Sequence, residues 1–95
     1  MAVLNWTERS IDDLKNIADF IAKDSKKYAY IHINRIREKA QMLKQHPKLG
    51  RIVPEKNDAN IREIIYGNYR IIYKIVNINR VDVLTVYHSA RILKL

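Results

Sequence analysis

Between Ile61 and His88 the chain gathers Ile, Val, Tyr and Thr into three runs: Ile61–Tyr66, Tyr69–Val76 and Val81–His88. Such residues suit a pleated, half-buried surface. Two polar breaks separate them, Gly67-Asn68 and Asn77-Ile78-Asn79-Arg80. Gly and Asn tolerate the positive φ that tight hairpins need. Gly67 as the first central residue of a two-residue loop fits a type II′ turn. The stretch therefore predicts a three-stranded antiparallel meander, and the rest of the chain must cover it.

The preceding sequence supplies helices. Val3–Trp6 is short and apolar and is expected as a first or edge strand. Thr7 can cap a helix, with Trp6 before the cap and Ile11 four residues in, the spacing of a hydrophobic staple. Ile11, Leu14, Ile17, Ala18 and Ile21 recur at helical spacing, which places a helix over about residues 8–23, with Phe20 at the edge of the stripe. Asp24-Ser25 breaks the pattern and offers a second cap. A second helix follows over about residues 26–45, with Ala29, Ile33, Ile36, Ala40 and Leu43 inward and a basic exterior of Lys26, Lys27, Arg35, Arg37, Lys39 and Lys44. So short a link makes the two helices antiparallel. Pro47 ends the second helix. Residues 46–60 form a long connection, expected to be ordered over 49–53 and mobile around 55–59. Residues 89–95 are a short tail. The predicted fold is one α+β domain over residues 1–95, β-α-α-β-β-β, with a helical hairpin on one face of an antiparallel sheet and the other face partly open.

Composition narrows function. The absence of cysteine excludes disulfides and thiolate chemistry and suits a cytoplasmic location. No apolar run approaches the roughly 18 residues of a membrane span, and the N-terminus lacks the pattern of a signal peptide. No membrane association is expected. A formal net charge of +8 favours an acidic partner. His32 and His46 are expected at the surface. With histidines scattered one to an element and no acidic cluster, neither a metal nor another cofactor is expected.

The motifs are familiar in their order. Leu43–Pro54, with Pro47-x-x-Gly50-Arg51, resembles the corresponding connection of the ParE branch of the RelE/ParE toxins. Ile61-Arg62-Glu63, Tyr69-Arg70-Ile71-Ile72-Tyr73 and the terminal run from Val83 through His88 to Arg91 resemble that superfamily's strands, and Trp6-Thr7 its opening. The resemblance spans nearly the whole chain. It implies the toxin of a type II toxin–antitoxin pair, growth-inhibiting and of the plasmid-stabilisation kind, neutralised in a hetero-oligomer by a cognate antitoxin. It further implies one of two targets. ParE-like members poison DNA gyrase; RelE-like members cut mRNA on the ribosome without a metal.

Metal-free RNA cleavage needs a base, an acid and a cation for the crowded phosphate. The candidate catalytic residues are Arg70 for the phosphate, His88 or Glu63 for proton transfer, and Arg62 and Tyr66 as assistants. For a gyrase inhibitor the expected target contacts are Arg51, Arg70, His88 and Arg91. Each has a plainer reading. Glu63 can pair with a cation across the sheet, worth about 0.2–1 kcal/mol. Tyr69 and Tyr73 can simply pack, and His88 can be a hydrogen-bonded histidine at a strand end. Arg70, in mid-strand, must meet a partner or open onto a cleft. The strand matching Ile61–Tyr66 lacks the basic pair of some RelE-like enzymes, and together with Pro47-x-x-Gly50-Arg51 this favours gyrase. A non-toxic antitoxin-binding or nucleic-acid-binding module is the third possibility, although the basic residues of the second helix are spread around it. Strand register separates the first two. A three-residue loop at Ile78–Arg80 sets Arg70 opposite His88 on one face; a loop one residue shorter or longer turns them apart.

Overall fold

The computed structural model of the protein describes residues 1–89, so Arg91 and the tail beyond Ser89 lie outside the described residues. The chain begins with β1 (Val3–Trp6), α1 (Glu8–Ala22) and α2 (Lys26–Gln41), the last extended by a 3-10 turn at Met42–Lys44. It continues with β2 (Arg51–Ile52), β3 (Ile61–Tyr66), β4 (Tyr69–Asn77) and β5 (Arg80–His88). Both expected caps form. The Thr7 hydroxyl accepts from the Ser10 amide, and that of Ser25 from the Tyr28 amide, each at 3.2 Å. Thr7 also donates to the Val83 carbonyl at 2.8 Å, so one side chain starts α1 and ties it to β5.

The sheet order is β1-β5-β4-β3-β2. It differs from the expected four-stranded antiparallel sheet in two ways. β1 lies parallel to β5, pairing Val3 with Arg80 and Trp6 with Val83. A parallel partner needs a long crossover, which the later elements of the chain supply. The second difference is β2, a two-residue strand that adds an edge by pairing Arg51 with Glu63 and Ile52 with Arg62. Gly67 has φ +55°, and Asn68 stays outside the left-handed region, as a type II′ turn requires.

Leu14, Ile36 and Leu43 from the helical hairpin meet Ile71, Tyr73 and Val83 on one face of the sheet, with Ile17 and Ile33 packed at the margin. Ile11 departs from its expected buried place: it is 44% exposed, at the rim of a groove it shares with Trp6 and Ile33. Val53 and Ile72 are fully buried yet lie outside the helix-side cluster. The connection between α2 and β3 therefore covers part of the far face. The stretch expected to be mobile is exposed and forms local turns. The amides of Lys56 and Asn57 donate to the Val53 carbonyl, and that of Ile61 to Asp58. Among the described residues no helix is long and apolar enough to cross a membrane.

The loop between β4 and β5 has two residues, Ile78 and Asn79, because Asn77 pairs with Arg80. The Asn79 amide donates to the Asn77 side chain at 2.8 Å and closes the turn. A bulge at Leu84 in β5 is offset by one at Val76 in β4, so the register beyond both returns to that of the loop. Arg70 consequently pairs with Tyr87, and His88 with Tyr69. The three-residue loop, with Arg70 opposite His88, is not the one formed.

Candidate functional site

Neighbouring residues of a strand point to opposite faces. Glu63 and Arg70, across from Ile72 and Ile65, thus share the face turned away from the helices. His88 follows Tyr69 to the helix side, where the two rings meet edge-on with centroids 5.4 Å apart. Arg70 and His88, one of the two candidates for proton transfer, are therefore on different sides of the sheet.

What surrounds Arg70 is an ion-pair network. Its Nε donates to Glu63 Oε2 at 2.5 Å, and its two terminal nitrogens donate to Glu55 at 2.8 and 3.0 Å. Glu63 is 1% exposed and also accepts from Arg51 Nε at 2.6 Å. Two guanidiniums and two carboxylates cancel in charge. The fork-to-fork geometry between Arg70 and Glu55 is the strong form of such pairing. Its electrostatic consequence falls on both partners. The Arg70 hydrogen bonds pull the Glu55 carboxyl down from 4.5 to about 2. The Glu55 and Glu63 carboxylates hold the Arg70 guanidinium above its ordinary value despite partial burial. Arg70 therefore meets partners and presents no open cation.

The other sequence candidates are also committed to local structure. Arg62 donates from Nε to the Ala59 carbonyl at 2.9 Å and from Nη1 to the Gly50 carbonyl at 3.0 Å. The Tyr66 hydroxyl shares a 2.7 Å hydrogen bond with His32 Nδ1. His32 is thus half-buried against β3 and not the simple surface residue expected, whereas His46 is exposed. Arg51 keeps two-thirds of its side chain in solvent while pairing with Glu63.

Pro47-x-x-Gly50-Arg51 has a clear physical role. The Tyr73 hydroxyl donates to the Pro47 carbonyl at 2.6 Å and accepts from the Gly50 amide at 2.9 Å. A Cβ on Gly50 would stand 2.3 Å from the Glu63 carbonyl oxygen and 2.8 Å from the Tyr73 hydroxyl. Only glycine lets the connection approach β3 this closely. Burial raises the Tyr73 hydroxyl above its usual pKa. The motif is a clamp around a buried tyrosine, and Arg51, the next residue, extends it to Glu63.

Arg51, Glu63 and Arg70 are brought together as neighbours, while His88 and Tyr66 stand apart from them. Sequence reasoning missed Glu55 and His32. For Glu55 the one available signal was the demand that Arg70 find a carboxylate. For His32 it was the i, i+4 spacing from Tyr28, which puts both on one helix face. Among the described residues no three His, Asp or Glu side chains gather as a metal site.

A helical hairpin on a mixed five-stranded sheet is also the architecture of a protein of known structure. The chain matches a structure described as the chromosomal ParDE TA system from P. aeruginosa with a TM-score of 0.75, at 19% identity, over 93% of this chain and 96% of that one. A search of curated protein sequences gives no match. The family model for the ParE toxin of the type II toxin–antitoxin system, parDE, matches residues 4–93, and the chain belongs to that family.

Proposed function

We propose that this toxin arrests growth by binding and inhibiting DNA gyrase in the cytoplasm, without chemistry of its own, and that a cognate acidic antitoxin neutralises it. One observation carries the choice of target. Arg70 and Glu63, which the nuclease reading needs as phosphate clamp and proton carrier, are spent on each other and on Glu55 and Arg51. A general base must reach the proton it takes, and a carboxylate 1% exposed between two guanidiniums is poorly placed to do so. His88, on the other face, stands away from Arg70. The gyrase reading itself comes from family membership, and the geometry supports it by weakening the alternative. Arg51, still two-thirds exposed, and His88 and Arg91 are the residues offered for target contact.

The test is induced expression followed by gyrase supercoiling and cleavage assays beside a translation-dependent mRNA cleavage assay. Loss of supercoiling activity with intact mRNA is the expected outcome. The reading fails if His88→Ala alone abolishes growth arrest and mRNA cleavage while folding and antitoxin binding persist. The antitoxin's affinity should fall with added salt as its charge contacts are screened.

A further inference from the structure

The chain's positive charge is unevenly distributed. From Lys26 to Lys44, α2 and its 3-10 extension carry six cations against one carboxylate, Glu38, whereas α1 carries four carboxylates against two cations. Among the described residues Arg51, Arg70 and Arg80 all form ion pairs, but none of these six cations does. Around the helix these cations look scattered. The sheet gives one edge of it a distinct character.

Tyr28, His32, Arg35 and Lys39 are spaced by four, three and four residues and so fall on one face of α2. β3 brings Tyr66 beside that face. The rings of Tyr28 and His32 have centroids 6.4 Å apart, and those of His32 and Tyr66 5.9 Å. The hydrogen bond between His32 and Tyr66 fixes the middle of this ladder. Its outer ring, Tyr28, is 60% exposed. Arg35 and Lys39, both exposed, continue the stripe along the helix.

We propose that this edge of α2 is a binding surface for single-stranded nucleic acid, with Arg35 and Lys39 meeting backbone phosphates and the exposed Tyr28 ring stacking on a base. The argument is one of complementarity. Unpaired cations attract any polyanion, but an acidic protein segment gains little from the exposed Tyr28 ring beside them. Bases stack on such rings whatever their sequence, while phosphates meet the neighbouring cations. The hydrogen bond between His32 and Tyr66 holds the inner two rings of the ladder, so little of their side-chain freedom remains to be lost on binding. This surface lies apart from the Arg70 network and does not depend on gyrase being the target.

The experiment titrates the purified full chain into a fluorescein-labelled 20-nucleotide oligo-dT and follows polarisation across a series of KCl concentrations. The expected result is salt-dependent binding. Arg35→Ala with Lys39→Ala should flatten the log–log salt slope by about 1.4, from roughly 0.7 per lost phosphate contact on a single strand. Tyr28→Ala should weaken binding roughly 5- to 150-fold, the value of one stacked base, with the slope unchanged. Arg9→Ala with Lys56→Ala removes the same charge elsewhere and should leave the affinity within about threefold, since the phosphate contacts are local. Circular dichroism confirms that each variant is folded. The proposal is overturned by no binding at the lowest salt, or by an equal loss in the Arg9/Lys56 control. It is equally overturned if polyaspartate of matched charge competes as well as unlabelled oligo-dT, or if a duplex binds more tightly and Tyr28→Ala has no effect.

Discussion

Replacing Arg70 by Met tests whether the central arginine serves the fold. The substitution keeps much of the buried stem and removes the guanidinium that bridges Glu63 and Glu55. Glu63, whose side chain is fully buried, is then left with Arg51, a partner two-thirds in solvent. Removing one member of a buried ion pair costs about 3–5 kcal/mol, and the surviving Arg51 contact argues for the lower end, about 3 kcal/mol. In a domain of this size each kcal/mol moves the midpoint by about 4–8 °C, so the melting temperature should fall by about 12–24 °C. Glu63→Leu combined with Arg70→Met removes both charges from the interior. That double variant should recover to within about 1 kcal/mol of the parent, since apolar replacement of a buried pair is often neutral. Arg51 and Glu55 stay behind, but both reach water. Thermal and urea unfolding of the four proteins completes the cycle. A midpoint drop below about 4 °C for Arg70→Met, or a double variant no better than the sum of its singles, would refute the structural role. With folding restored, the double variant should still arrest growth; loss of arrest would return Arg70 to direct contact with the target.

Gly50→Ala forces a methyl group against the Glu63 carbonyl and should cost at least about 1–3 kcal/mol, the range for overpacking, measured by urea unfolding. Tyr73→Phe leaves the Pro47 carbonyl and Gly50 amide without their hydroxyl partner and should cost about 2–4 kcal/mol in the same assay, with a null result ruling out the clamp. Because the folded Glu55 carboxyl titrates near 2 in place of 4.5, its contribution is intact above about pH 4.5 and lost as pH falls toward 2. Melting temperatures over that window should decline less steeply for Glu55→Gln than for the parent. Tyr73 shows the opposite sign. Its hydroxyl is raised by burial, so the unfolded chain ionises first and stability should drop as pH rises past the ordinary value of 10.0, a drop that Tyr73→Phe should lack.

Features whose cause is local were legible in the residues alone. Apolar side chains at helical spacing fix α1 and α2, because a helix presents those positions on one side whatever lies opposite. Thr7 and Ser25 satisfy amides three residues away, and Gly67 supplies the one backbone geometry a two-residue hairpin needs. The demand that a mid-strand arginine find a partner was legible too, since it follows from the cost of a buried lone charge. Which partner it found was not. Glu55 lies in a connection whose composition suggests mobility, and only the folding of that connection across β3 and β4 brings its carboxylate to Arg70. The direction of β1 and the added edge at β2 depend on where distant strands leave an edge free, which no local pattern records. The loop after Asn77 is closed by two residues where three fit the sequence equally well. That single residue decided the candidate site, because the side-chain period of a strand is two and a slip of one turns His88 away from Arg70.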